Sequence, residues 1–343
     1  MDNYATKEEK VEKREKMSSK KLISAVASSS QSRRYAKALL IYMESSARTA
    51  YGVTIVVLPL LFMILYLPIL LIFFVDKEFR KVSAYIIMTH IGVLDALQLL
   101  IHSYSGVLVL ASVDLGEGMK KVVGAILTGL WFSGLAFTLF LTLNRFITVL
   151  LQKWFPQLTS NRLTCALFVM CYFCFIVPFV LKLLPQCNYT FDPDTFSWTY
   201  LPTDSHISIV MNKLGNYLVL AIVVLSIITY VSIFGYIGFF SQARLSKREY
   251  WITVQVSLLV LYFLFSFIYW TYLMPIFGSS VVSDFVSCLV WVVMNGIHPI
   301  IYLIFNQRLR YSFVQLFTQL RIPHETSSAN RTVKVKMSSK FRP

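Results

Sequence analysis

The sequence predicts an all-α membrane protein, a bundle of seven transmembrane helices followed by a short C-terminal amphipathic helix. Three observations predict it. Seven apolar runs succeed one another at about 51–75, 84–111, 122–151, 163–181, 214–240, 250–274 and 285–305. A helix that crosses a hydrocarbon core about 30 Å thick needs roughly 20 apolar residues, and these runs supply them. Only 14% of the chain is charged and 56% is hydrophobic, whereas a soluble domain carries about a quarter charged residues. No run alternates with period two, which excludes a transmembrane β-barrel.

Residues 1–49 hold eleven Lys and Arg among polar neighbours and read as a basic, disordered N-terminal tail. The seven-span domain occupies 50–320, and 321–343 form a second disordered tail. Pro59, Pro68, Pro178, Pro275 and Pro299 fall inside or at the ends of the runs. Membrane helices tolerate such kinks because neighbouring groups re-satisfy the freed backbone. The connectors are short except for 182–213, which holds Cys187 and the glycosylation sequon Asn188-Tyr189-Thr190. After the last span, Gln307-Arg308-Leu309-Arg310-Tyr311-Ser312-Phe313-Val314-Gln315-Leu316-Phe317 reads as an amphipathic helix lying on the membrane surface.

The formal net charge of +15 points to anionic lipid headgroups rather than nucleic acid, because the basic residues sit beside apolar spans. Connectors 76–83, 152–162 and 241–249 carry eight Lys and Arg, and the alternate connectors carry four. The excess marks the cytoplasmic side, which puts the C-terminal tail inside and the N-terminus outside the cell. The eleven basic residues of the N-terminal tail oppose that orientation and narrow its margin. Five cysteines give neither a disulfide framework nor a metal pattern. No cofactor or metal is expected.

Two side chains ionised at neutral pH lie well inside the spans, Asp95 and Arg145. A charge at mid-membrane costs about 2.5–3.5 kcal/mol even on insertion scales, so each needs a reason. Asp95 is either a carboxyl hydrogen-bonded between helices or a cation or proton site; the residues leave both open. Arg145 in Asn144-Arg145-Phe146 is either an interfacial side chain snorkelling to water or a cation positioned at one mouth of the bundle. Asn295, His298 and Tyr302 surround Pro299 in the last span and place polar groups at a kink.

Seven spans, the Asn144-Arg145-Phe146 triplet and Pro299-Ile300-Ile301-Tyr302 resemble a rhodopsin-type G-protein-coupled receptor. Leu65-Tyr66-Leu67-Pro68, Lys77-Glu78-Phe79-Arg80, Tyr85-Ile86-Ile87-Met88 and Gly92-Val93-Leu94-Asp95 are similar to the nematode serpentine receptors of class T, which are chemoreceptors. The resemblance covers about 50–320. It implies that Arg145 contacts a G protein, that His298-Pro299-Ile300-Ile301-Tyr302 is the seventh-span switch, and that Asp95 matches an acid that often holds sodium. Three departures accompany it. The acid that precedes the Arg in the family is Asn144 here, His298 replaces an Asn, and Cys187 lacks a cysteine partner at the start of span three.

The resulting expectation is a non-enzymatic chemosensory receptor in the plasma membrane of a sensory cell. It would bind a small-molecule ligand between its helices and signal to a heterotrimeric G protein. Tyr269, Trp270, Tyr272 and Trp291 are the candidate ligand contacts, and Asn188 the glycan acceptor. A membrane channel or transporter is the competing reading. It would need several polar residues along one path.

Overall fold

The computed structural model describes residues 30–111, 116–193, 195–202, 205–239, 246–277 and 281–320. Among these residues seven helices are long and apolar enough to span a membrane, Ser46–Val75, Ser83–Ala111, Glu117–Leu151, Arg162–Lys182, His206–Phe239, Lys247–Ile276 and Val282–Phe305. Each encloses or nearly matches the run read from hydropathy. The chain is therefore an integral, multi-pass membrane protein. The first helix extends back to Ser30. The remaining tail residues, 1–29 and 321–343, lie outside the described residues.

Local chemistry sets the helix ends. Ser160 and Ser246 are N-caps whose hydroxyls accept from the Leu163 and Glu249 amides, meeting two of the amide donors that a helix start leaves unpaired. Gly116, at φ 75, precedes span three in a conformation that costs an L side chain energy. Two spans contain a five-residue π-helical turn, Ile147–Leu151 at the end of span three and Tyr269–Leu273 in span six. Such turns shift the side-chain register by one residue and recur at functional positions.

The connector 182–213, read from sequence as a loop, contains a hairpin. Strand β1 (Asn188–Asp192) pairs antiparallel with β2 (Ser197–Leu201), with Tyr189 opposite Tyr200 and Phe191 opposite Trp198. The hairpin lies hard against span three: a Cβ built on Gly124 would stand 1.5 Å from the Tyr189 carbonyl oxygen. No disulfide holds it there, for all five cysteines are free thiols. Instead buried Lys182 donates from Nζ to Cys187 Sγ at 3.1 Å and stands 3.9 Å from the centre of the Tyr200 ring. A desolvated ammonium over an aromatic face is a strong anchor.

At the opposite end, the helix Gln307–Leu320 follows span seven. Asn306 is the joint. Its Oδ1 accepts from the Leu309 amide, and its Nδ2 donates to Tyr85 Oη at 2.9 Å. Leu309 is fully buried in the main core while Tyr311 and Val314 are exposed, the two faces expected of an amphipathic helix.

Candidate functional site

Arg145 is the largest fully buried side chain among the described residues, at 1% exposure. Its Nη1 donates to Glu249 Oε2 at 2.6 Å, and its Nη2 to Asn144 Oδ1 at 2.7 Å. Asn144 Nδ2 in turn donates to Ser83 Oγ at 3.0 Å. Spans two, three and six are thereby joined around one guanidinium. The residue before Arg145 is an amide, Asn144, and the acid that pairs with the guanidinium comes from span six instead. Sequence order hid it: Glu249 is 104 positions away and stands in a basic stretch, Lys247-Arg248-Glu249. A charge-assisted pair this short and this buried is costly to leave half-made. Phe146 is half-buried beside it.

A second polar cluster lies at mid-bundle. Tyr66 Oη donates to Asp95 Oδ2 at 2.6 Å, and His298 Nδ1 stands 2.7 Å from the same oxygen. The triad ties spans one, two and seven together. Asp95 and His298 line a cavity of about 50 Å³ with Gln98, Trp131, Thr138 and Asn295. Asn295 Nδ2 and Tyr302 Oη are buried without hydrogen-bond partners among the described residues, while Pro299 sits inside the same helix. For a sodium ion the donor set fits poorly. One Asp95 oxygen is already shared by a phenol and an imidazole, and a hard cation takes several oxygen ligands. No ion is assigned to it.

Toward the hairpin end an aromatic cluster fills the bundle. The Trp291 ring centre stands 5.2 Å from Trp131 and 6.3 Å from Trp270. Trp291 Nε1 donates to Gln98 Oε1 at 3.1 Å, and Trp270 Nε1 to Ser287 Oγ at 2.9 Å. Tyr269 is buried, its hydroxyl donating to the Ser283 carbonyl. Tyr272 is 59% exposed on the outside of the bundle. The four aromatics read as ligand contacts therefore do not form one surface: Tyr269 and Trp270 face span seven, which carries Trp291, and Tyr272 faces away.

Between this cluster and the hairpin lies a cavity of about 130 Å³, lined by Tyr189, Trp198, Asp284, Ser287, Cys288 and Trp291 among others. Burial pushes the Tyr200 phenol up to about 12 and Tyr189 well above its ordinary value, so both stay neutral. Sequence reading missed His102, which is fully buried and packs edge-on to Trp291 at 5.2 Å. Asn188 opens β1 and lines a separate cavity of about 490 Å³ on the far side of the hairpin. Among the described residues no group of three or more His, Cys, Asp and Glu could hold a metal ion.

Seven spans, a strand hairpin over one mouth and a helix laid across the other define the rhodopsin-like receptor fold. The crystal structure of squid rhodopsin is similar to this chain at TM-score 0.63 and 12% identity, over 83% of this chain and 89% of that one. At that identity the likeness carries the fold alone. The sequence profile for the serpentine-type seven-transmembrane G-protein-coupled chemoreceptors, Srt, matches residues 35–326, and the chain belongs to that family. No curated protein matches the sequence.

Proposed function

We propose that this chain is a chemosensory receptor of the plasma membrane, with the hairpin end outside the cell and the Arg145 end facing a heterotrimeric G protein. The Arg145–Glu249 bridge at 2.6 Å carries the reading. It joins spans three and six at one mouth of the bundle, where separating them would open a cleft and release a cation. The mid-bundle groups Asp95, His298, Pro299 and Tyr302 then act as the switch, with Asn295 beside them. A small ligand binds among Trp270, Trp291, Trp131 and the hairpin, in a half-apolar chamber of the kind small-molecule sites favour. Trp291 touches both that chamber and Gln98, so ligand binding bears on the Asp95 cluster one layer below. A ligand that prefers the open packing shifts the population toward it.

The test is nucleotide exchange by a G protein on the purified receptor. Glu249→Gln removes the ionic bridge and is expected to raise basal exchange several-fold. Arg145→Leu is expected to abolish exchange when equal amounts of folded receptor are compared. Exchange insensitive to both substitutions would overturn the reading. Orientation is tested separately by glycosylation. A mobility shift lost in Asn188→Gln places the hairpin outside, and a shift lost instead in Asn330→Gln, at the C-terminal sequon Asn330-Arg331-Thr332, inverts the topology and sinks the proposal.

A further inference from the structure

A cavity of about 230 Å³ opens where the start of span six, the end of span seven and the amphipathic helix meet, and neither the ligand chamber nor the Arg145 bridge uses it. Lys247, Arg248, Gln255, Glu78 and Arg308 line it among others. Arg248, Trp251 and Gln255 fall at i, i+3 and i+7 and so share one helix face. That face presents two neighbouring cations and, two turns deeper, an amide.

Gln255 is the observation that calls for a ligand. It is 1% exposed, and neither Nε2 nor Oε1 has a hydrogen-bond partner among the described residues. A buried polar group left unpaired costs about 1–3 kcal/mol, and this side chain bears that cost twice. An occupant that both accepts and donates would satisfy it. The cations above need an anion. No ion pair joins Lys247 to another described residue. Arg248 reaches Glu249 only at 3.9 Å, and Arg308 is shared between Asp76 at 3.4 Å and Glu78 at 3.8 Å. Glu78, the one acid in the wall among the described residues, is held below the usual carboxylate range by its hydrogen bond to Lys81 and that cation's charge. Three cations thus face one compensated acid, at a helix N-terminus whose own dipole favours anions.

We propose that this cavity binds a phosphorylated polyol, either the headgroup of a phosphoinositide or its soluble inositol phosphate. Phosphate oxygens accept from Lys247, Arg248 and Arg308, and a ring hydroxyl accepts from and donates to Gln255. A serine or choline headgroup would instead bring a second cation among three. Basic pockets between membrane helices are suited to such headgroups. Occupancy ties Lys247 and Arg248 of span six to Arg308 beyond span seven, beside the Arg145–Glu249 bridge, and so favours the closed packing.

The test uses the full chain in phosphatidylcholine nanodiscs with a short-chain phosphatidylinositol bisphosphate as the probe, and no G protein present. Failure here is therefore separable from failure of the coupling reading. Saturable binding is expected, weakened about thirtyfold in the double variant Lys247→Gln, Arg248→Gln. Gln255→Leu is expected to weaken binding several-fold while leaving the unfolding temperature unchanged or higher, since it removes an unpaired amide. Competition by inositol trisphosphate assigns the site to the soluble polyol, and lipid binding without that competition assigns it to the lipid. Equal binding of phosphatidylserine, or binding unaltered in both variants, overturns the proposal.

Discussion

Spans two and four look alike in the sequence, two long apolar runs, and the fold uses them in opposite ways. In its most apolar stretch span two is 67% buried, and span four only 11%. Asp95, Gln98 and His102 on span two are each at most 5% exposed, and they meet Tyr66, His298, Trp291 and Cys288. Span four turns Val169, Met170, Phe173 and Val180 outward, each more than half exposed. The difference teaches where a membrane protein keeps its polar chemistry. Lipid offers no hydrogen bonds, so polar groups collect on helices whose surroundings are other helices. The same helices then hold the bundle together and are placed to switch it.

The largest expected break comes from span two. Asp95→Ala leaves the Tyr66 hydroxyl and the His298 imidazole without their shared acceptor, in a site closed to lipid and nearly closed to water. A loss of about 2–3 kcal/mol is expected, since buried groups stripped of a partner each cost about 1–3 kcal/mol. Denaturant unfolding of the receptor in micelles reads it. Asp95→Asn keeps an acceptor and should recover more than half of the loss. A change below about 1 kcal/mol in the Ala variant would mean that neighbouring groups re-pair, as they often do within membranes.

Span three sharpens the contrast within a single helix. At Gly124 an added Cβ would meet the hairpin backbone at 1.5 Å, and at Gly134 it would meet nothing within 4 Å. Gly124→Ala must displace the hairpin or the helix, an overpacking worth about 1–3 kcal/mol. Gly134→Ala should be neutral or stabilising by about 0.5–1 kcal/mol, the usual helix gain over glycine. If the two substitutions proved equal by thermal unfolding, the hairpin would not rest on span three.

What the sequence made legible follows the same division. Hydropathy and length located all seven spans, because lipid imposes a single requirement that any run of sufficient length must meet. Asp95 and Arg145 stood out for the converse reason, as charges where lipid forbids them. Their partners did not. Tyr66 is one tyrosine among nineteen, and Glu249 sits where a loop acid would be unremarked. Only helix packing brings each to its charge. Tyr272 was grouped with Tyr269 and Trp270 by nearness in sequence, and the π-helical turn Tyr269–Leu273 shows why nearness misleads there. The hairpin carried a usable signal that went unread. Asn-Tyr-Thr-Phe-Asp and Ser-Trp-Thr-Tyr-Leu are aromatic and β-branched segments flanking a proline turn, the pattern of paired strands.

The smallest effect belongs to span four, and its smallness is the test. Phe173 is 59% exposed toward the surroundings of the bundle. In water, trimming such a side chain would remove an exposed apolar patch. In a bilayer, lipid tails are as apolar as leucine, so the exchange of ring for branched chain alters little on either side of the folding equilibrium. Phe173→Leu is therefore expected to change stability by less than about 0.5 kcal/mol, as for surface substitutions elsewhere. Cys171 on the same helix faces inward at 1% exposure, and its carbonyl accepts from Ser133 Oγ at 3.0 Å. Cys171→Phe should cost about 1–3 kcal/mol by overpacking. Two aromatic-sized changes two residues apart would then differ several-fold for no reason but the solvent each faces. Should Phe173→Leu instead cost more than about 1 kcal/mol in nanodiscs, that face packs against protein. A cost that grew with receptor density would name a second copy of the chain as that neighbour.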